Sequence, residues 1–357
     1  AIVAVYNAGV NYEKSGQNEK AKNAYLEVLK SNQDKKDLKF KSKLFVAKLY
    51  QDAALFDESI KLYRQLIKDD PKAKSNANYL YNIALMREAM GQYSLAIKDY
   101  EEYYENLKKW QEKLELMYTL AELYRKTNQL SKAQDKYKEY IENNPANAEK
   151  LIEAYYWMAQ IYVMKGSSQS YQWEDKLISV HRRLSESKKA VGNKWVAMVK
   201  LKKAKEVYQD MKEIKIPAQP DKQKKAVDEK VSLLNKLNKD LNEVVKLNSP
   251  NEIVSSLSLL GEANEHMANA IISSPIPKGL GADLEKQYKE TLPKLAEPFL
   301  NRAKESHKSA VERAFEFEAF NPDFEKSLRF MSKIDSKKYY NSSEIKFDTR
   351  FVNWMSL

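Results

Sequence analysis

The sequence contains no cysteine and only three histidines among its 357 residues. Without cysteine the chain can form no disulfide, no thiolate metal site and no cysteine nucleophile. Both a bacterial periplasm and a cytosol are compatible with this composition. His181, His266 and His307 are far apart, and none lies in a spacing typical of metal ligands. We therefore predict no metal site and no cofactor.

Glycine (8) and proline (10) are scarce, whereas Ala, Leu, Lys, Glu, Gln and Tyr dominate, and this composition favours helices. Residues 277–281 are not a phosphate loop, because they lack a flanking strand and a Lys-Ser/Thr pair. No apolar run approaches the roughly 20 residues needed to span a bilayer. The opening Ala-Ile-Val-Ala-Val lacks the basic segment of an intact signal peptide, and either a processed mature chain or a segment cut from a longer chain would begin in this way. We predict an all-α protein with no catalytic residues.

The sequence repeats itself with a period of 37–38 residues. Each unit has two apolar stripes at helical period, separated by a turn, and small residues in both stripes allow the two helix axes to approach closely. Four columns keep the same register: first small residues Gly9, Ala47, Ala84, Ala121 and Ala159; second small residues Ala21, Ser59, Ala96 and Ala133; aromatics Tyr25, Tyr63, Tyr100 and Tyr137; and, three positions after the first small residue, Tyr12, Tyr50, Arg87, Tyr124 and Tyr162. The repetition predicts stacked helical hairpins.

The order small, small, aromatic and proline resembles the tetratricopeptide repeat family over about residues 2–178. Pro71 and Pro145 stand where proline ends the second helix of a unit. The resemblance implies an α-α superhelix, here followed by irregular long helical hairpins. The period is longer than the 34 residues of the family, and the fifth unit has Tyr171 and Asp175 where Ala and an aromatic are expected.

We predict three parts: a tetratricopeptide-like array of about five units over 1–178, a long basic helical hairpin or degenerate repeats over 179–275, and a C-terminal helical segment over 276–357 that caps the array. Apolar stripes at 195–214 and 227–244 indicate the hairpin, and the Pro- and Gly-containing residues 273–281 indicate a linker. Phe351 and Trp354 are expected to dock back on the array.

If the hairpins stack as in the family, the first helix of each unit lines a concave groove. Positions three before and one after the first small residue should then face a partner: Tyr6, Leu44, Tyr81, Tyr118 and Tyr156, and Val10, Lys48, Leu85, Glu122 and Gln160. Tyrosine is enriched at binding hot spots, although these tyrosines could instead pack sideways between helices. Family members that clamp a chain-terminal carboxylate have Lys and Asn in these columns. The resemblance therefore favours a peptide or helix of mixed apolar and polar character.

A second candidate surface is basic. Residues 176–225 carry fifteen Lys/Arg and five Asp/Glu, and such a segment can bind nucleic acid or anionic surfaces, or can simply be a solvated helix. The candidate patch comprises Arg182, Arg183, Lys200, Lys202 and Lys203. Trp195 lies on an apolar stripe and no nucleic-acid signature is present, so nucleic acid is disfavoured as the partner.

Together these observations predict a non-enzymatic scaffold or adaptor that binds another protein through the groove. Residues 303–328 resemble the end segments of large tetratricopeptide proteins of the bacterial cell envelope, some of them in gliding-motility and secretion assemblies. That resemblance implies a periplasmic location in an envelope or motility assembly, with the cytoplasm as the alternative. Without a transmembrane segment, only peripheral membrane contact is compatible with the sequence.

Overall fold

The computed structural model describes residues 1–186 and 191–339, and within these ranges the chain forms fifteen α-helices and no strand. The chain divides into two compact units, Ala1–Ser170 and Tyr171–Leu357. The helices are α1 Ile2–Lys14, α2 Asn18–Lys30, α3 Lys36–Asp52, α4 Phe56–Asp69, α5 Asn76–Ala89, α6 Tyr93–Asn106, α7 Trp110–Lys126, α8 Leu130–Glu142, α9 Ala148–Met164, α10 Gln169–Glu186, α11 Asn193–Glu213, α12 Pro220–Val245, α13 Pro250–Ile272, α14 Ala282–Phe317 and α15 Pro322–Ile334. The predicted all-α class is confirmed.

The first unit consists of four helical hairpins, α1/α2 to α7/α8, followed by α9. All members of both small-residue columns are buried, and so are the tyrosines of the aromatic column. Ala84 and Ala96, for example, have no solvent exposure, and Tyr100 fills the space beside them. The residues that repeat in the sequence are therefore those that form the contact between the two helices of each hairpin.

Each tyrosine of the aromatic column donates a hydrogen bond from its hydroxyl to the first helix of its own hairpin. Tyr25 donates to Glu13 at 2.9 Å, and the equivalent bonds in the next two hairpins, to Gln51 and Glu88, are both 3.2 Å. These acceptors lie four positions after the first small residue, a fifth column that the sequence analysis missed. In the fourth hairpin this column holds Arg125, and Glu122 accepts from Tyr137 instead. The hydroxyls are thus satisfied within the hairpin, as buried polar groups must be.

The turn inside each hairpin contains one residue with a left-handed backbone. Gly91 (φ 71°) joins α5 to α6, and equivalent positions hold Gly16, Ala54, Asn128 and Gly166. Glycine and asparagine tolerate this conformation, whereas alanine is strained by its Cβ. Ala54 (φ 58°) therefore introduces strain into the second hairpin.

The third hairpin departs from the repeat where Arg87 replaces the tyrosine of its column. Its guanidinium Nη1 lies 2.5 Å from Oδ2 of Asp99, which is almost fully buried on α6. Arg64 from α4 also contacts Asp99 and reaches Glu102 at 3.1 Å. Burial raises the pKa of Asp99, and the two guanidinium groups oppose that effect. A charged trio thus joins the second hairpin to the third.

The second unit packs long helices around a core shared by α11 to α14. Its buried residues include Leu201, Leu237, Met267 and Leu292. Residues 273–281, which we predict to be a linker, connect α13 to α14, and both helices contribute to this one core. Prolines begin α12 and α13, as is common at the first helical position. The predicted docking of Phe351 and Trp354 lies outside the described residues.

Candidate functional site

A pocket of about 470 Å³ opens between the first helices of the third and fourth hairpins. We call it the Tyr81 pocket. Its lining includes Tyr81, Leu85 and Glu88 from α5, Tyr103 from α6, and Glu112 and Glu115 from α7. All of these belong to the first unit, and two of them, Tyr81 and Leu85, are groove residues predicted from the sequence.

Tyr81 and Leu85 are one helical turn apart on α5 and are 40% and 39% exposed. The Tyr81 ring rests on two tyrosines of α6, with its centroid 6.1 Å from that of Tyr100 and 5.3 Å from that of Tyr103. Such rings prefer tilted or edge contacts of this kind. The exposed ring is therefore held against a rigid support, as a binding residue should be.

One repeat later, Tyr118 makes the same contacts but is only 8% exposed. Its ring centroid is also 6.1 Å and 5.3 Å from two tyrosines of the following helix, Tyr137 and Tyr140. Tyr118 is covered from α9, where the Lys150 ammonium lies 5.1 Å from its ring and Glu153 hydrogen-bonds its hydroxyl. Two equivalent tyrosines thus differ in what the next first helix places over them.

The residues of α7 that correspond to Lys150 and Glu153 of α9 stand 38 positions earlier, as the bounds of the two helices do. The equivalent of Lys150 is Glu112, a carboxylate that meets Lys109 at 3.0 Å. The equivalent of Glu153 is Glu115, whose carboxylate is paired with Lys150 at 2.7 Å. Tyr81 consequently has no ammonium group over its ring and is left open to solvent at the pocket.

The Tyr81 pocket is acidic. Glu88, Glu112 and Glu115 line it together with Lys150, whose Nζ lies 2.7 Å from Oε2 of Glu115. Burial and Glu112 raise the pKa of Tyr103, and burial and Glu88 raise the pKa of Tyr100. Both tyrosines remain neutral hydrogen-bond donors at any physiological pH, and the pocket keeps a negative potential.

The remaining predicted groove residues do not form one exposed ladder. Tyr6 is half-buried against the Tyr25 ring at 5.6 Å, and Leu44 packs on the core of the second hairpin, whereas Lys48 is exposed. Tyr156 is 8% exposed. Val10, Glu122 and Gln160 are half-buried, and Glu122 is paired with Arg125 at 2.7 Å. The structure brings Tyr81 and Leu85 together with other lining residues and leaves the rest in separate surroundings.

The predicted basic patch is divided between two helices and partly neutralised. Lys202 lies 2.6 Å from the buried carboxylate of Glu174, and Lys203 lies 2.8 Å from Asp175. Lys200 lies 3.8 Å from Glu243. The exposed Arg182 and Arg183 are two turns further along α10 than Glu174, roughly 12 Å away. Paired and separated charges of this kind give a weaker field than the sequence suggests.

Among residues 1–186 and 191–339, no group of three or more His, Asp or Glu side chains could hold a metal ion. None of the described helices has the length and apolar content needed to cross a bilayer.

Sequence models of the tetratricopeptide repeat match residues 3–35, 47–109 and 115–147, and so include part or all of each of the four hairpins of the first unit. The chain is a tetratricopeptide repeat protein over this part of its length. Tetratricopeptide arrays present extended concave surfaces that bind other proteins. The residues of the Tyr81 pocket lie inside or next to the second and third matched segments.

Several solved structures of tetratricopeptide proteins resemble the chain. MamA is 19% identical over 52% of this chain and 94% of its own, with a TM-score of 0.37. YrrB, a tetratricopeptide protein with an unusual peptide-binding site, is 14% identical over 51% and 87%, with a TM-score of 0.37. A tetratricopeptide protein from Parabacteroides merdae is 15% identical over 81% and 98%, with a TM-score of 0.40. Among curated proteins, none matches this sequence.

Proposed function

We propose that this chain is a non-enzymatic scaffold whose tetratricopeptide array binds a segment of a partner protein at the Tyr81 pocket. The observation that carries the proposal is the exposed pair Tyr81 and Leu85, held over a pocket by the tyrosines of α6. A rigid aromatic ring beside an aliphatic side chain gives a large contact area with little loss of conformational entropy. The other predicted groove residues would contribute at the margins, and Lys48 is the one among them that is exposed.

We also propose a setting for this scaffold, a bacterial envelope or motility assembly with the protein in the periplasm. The support is the resemblance of residues 303–328 to the end segments of envelope tetratricopeptide proteins. Fractionation of cells that express the native gene tests it. Recovery with the cytoplasmic fraction would contradict this setting and leave the binding role untouched.

The binding role is tested with short peptides, because no partner is needed in advance. A phage-displayed library of random nonapeptides is selected on the full chain, and enriched peptides are synthesised with acetylated and amidated ends. We expect the affinity of these peptides to fall at least tenfold in Tyr81→Ala and in Leu85→Ala, since both remove contact area at the centre of the site.

The matched control is Leu95→Ala. Leu95 is also 40% exposed and belongs to the same hairpin, but it lies on α6 outside the pocket lining. Tyr118 is unsuitable for this test, because it is buried and its truncation would destabilise the array. Equal affinity of the enriched peptides for the wild type and Tyr81→Ala, or a selection without enrichment, would rule out the proposed site.

A further inference from the structure

We infer that the segment bound at the Tyr81 pocket presents a lysine or arginine side chain between apolar ones. This inference rests on the proposed function, and it specifies the chemistry of the partner at the same site. Three features of the first unit support it: the charges that line the pocket, the geometry of its own repeat one step further along, and the distribution of charge along the chain.

The pocket has more negative than positive charge in its lining. Lys150 is engaged by Glu115 at 2.7 Å, and Glu112 meets the exposed Lys109 at 3.0 Å. Glu88 has no cationic partner among residues 1–186 and 191–339, and its Oε2 accepts only the neutral Tyr100 hydroxyl at 3.2 Å. A half-buried carboxylate without a counter-ion at the edge of a binding pocket attracts a cation from a ligand.

The next repeat shows where such a cation would lie. Over Tyr118, the equivalent of Tyr81, the chain places its own ammonium group, that of Lys150, at 5.1 Å from the ring. Over Tyr81, no ammonium or guanidinium group lies within contact distance in the described residues, because α7 has Glu112 in the column that holds Lys150 in α9. The array therefore satisfies one tyrosine of this column internally and leaves the preceding one for a cation from outside.

The positive net charge of the chain does not oppose this partner locally. Residues 51–170 carry 17 Lys/Arg and 18 Asp/Glu, whereas residues 1–50 carry 10 and 5. Exposed charges separated by more than a Debye length, about 10 Å at 0.1 M salt, are largely screened from one another. The acidic lining therefore dominates the potential at the pocket.

The apolar neighbours of the cation follow from the rim. Tyr81 and Leu85 on α5 line the pocket and are 40% and 39% exposed. Apolar side chains on either side of the basic residue would cover these two side chains, and burial of their surface supplies the non-directional part of the affinity.

The test compares two kinds of variant on the same peptides, namely the synthetic nonapeptides enriched on the wild-type chain. Glu88→Gln with Glu112→Gln removes two carboxylates from the lining and keeps their shapes. Glu58→Gln on α4 is the matched control, because Glu58 is exposed and lies outside the pocket. We expect Tyr81-dependent peptides to be enriched in Lys and Arg, to bind the double variant about tenfold more weakly, and to bind Glu58→Gln unchanged.

Replacement of the basic residue in the peptide by norleucine should produce the same loss on the wild type and little further loss on the double variant. If Tyr81-dependent peptides lack basic residues, or bind the double variant as tightly as the wild type, the inference fails while the proposed function stands. If no peptide depends on Tyr81, both fail.

Discussion

The two units of the chain fill the space between close helices in different ways. In the first unit, tyrosines lie beside small residues, and their neutral hydroxyls donate to the same hairpin, as Tyr25 and Tyr100 do. In the second unit, titratable side chains fill the space between close helices. Lys230 is 2% exposed, and its Nζ donates to the Met211 carbonyl at 2.6 Å and lies 3.0 Å from Nε2 of His266. The comparison teaches that the tyrosine contacts of the repeated unit are insensitive to protonation, whereas the contacts of Lys230 and His266 are not.

His307 is the clearest case in the second unit. Its Nδ1 lies 3.0 Å from the Ser327 hydroxyl, and its ring packs on Phe330 and against Gly261. Burial lowers the pKa of His307 to about 4 and also lowers the pKa of Lys230. A buried imidazole with this pKa is neutral at pH 7 and opposes protonation as the pH falls.

The largest effect is expected at the exception in the first unit, the charged trio around Asp99. Asp99→Ala leaves Arg64 and Arg87 without their buried partner, which should reduce the free energy of unfolding by about 3 kcal/mol. Urea denaturation followed by circular dichroism measures the loss, and hydrogen exchange of α5 and α6 peptides locates it.

The neighbouring repeats provide the control for Asp99. They place tyrosine in the Arg87 column, and the second hairpin has Leu62 in the Asp99 column. The double variant Arg87→Tyr with Asp99→Leu should therefore recover most of the lost stability. If the double variant is as unstable as Asp99→Ala, the residues of the neighbouring repeats cannot replace the charged trio in this hairpin.

The second prediction concerns pH. The unfolded chain protonates His307 near pH 6.5 and the folded chain only near 4, so stability is complete above pH 6.5 and is lost as the pH falls through this window. Between pH 7.5 and 5 the free energy of unfolding of the second unit should decrease by about 2 kcal/mol from this group.

His307→Gln removes the titrating group and keeps a partner for Ser327. We expect a smaller decrease in stability between the same two pH values for this variant, measured by urea denaturation. The same decrease in both proteins would assign the pH dependence to other groups, such as His266, whose pKa is also lowered by burial.

The third prediction compares two glycines at close helix contacts. A Cβ at Gly261 would lie 2.6 Å from Nε2 of the buried His307, and a Cβ at Gly9 would lie 2.9 Å from the Tyr25 ring. The other hairpins hold alanine beside the same tyrosine, so the first hairpin can adjust, and alanine also favours the helix. We expect Gly261→Ala to destabilise by about 1.5 kcal/mol and Gly9→Ala to change stability by less than about 0.5 kcal/mol. Equal losses of stability in Gly261→Ala and Gly9→Ala, measured by thermal unfolding, would contradict this expected difference.

The smallest effect is a gain in the first unit. Ala54→Gly relieves the left-handed strain of Ala54 but increases the conformational entropy of the unfolded chain, for a net stabilisation of about 0.5 kcal/mol. Ala53→Gly is the control, since Ala53 has φ −83° and gains nothing from glycine. The midpoint temperature of thermal unfolding should rise in Ala54→Gly and fall in Ala53→Gly.

Much of the fold of the first unit could be predicted from the sequence, because the contact between the helices of each hairpin repeats in register. The hydroxyl acceptors Glu13, Gln51 and Glu88 could also have been found, since they form a column of their own. In the second unit, the apolar stripes at 195–214 and 227–244 correctly indicate α11 and α12. The extent of α14 is harder to predict, because this helix begins at Ala282 and continues through Pro293 and Pro298. Proline is a weak helix terminator where packing on a neighbour such as α13 supports the helix.

The candidate site was less predictable. Tyr81 and Tyr118 occupy one column and make the same ring contacts, yet only Tyr81 is open. The difference depends on the column of Lys150, which holds Glu112 in the preceding repeat, so that an ammonium group covers Tyr118 and none covers Tyr81. The residue types differ in the sequence, but their effect on the exposure of Tyr81 follows only from which ring each side chain contacts in three dimensions.

The trio of Arg64, Arg87 and Asp99 spans the joint between two consecutive hairpins. A stacked array bends through small rotations at such joints, so the contacts at each joint determine how easily it bends there. Opening this joint would separate a buried carboxylate from its guanidinium partner, so the joint resists both bending and tension. We expect the array to flex least here, and a partner at the adjacent Tyr81 pocket would therefore meet a stiff surface while strain is taken up elsewhere along the array.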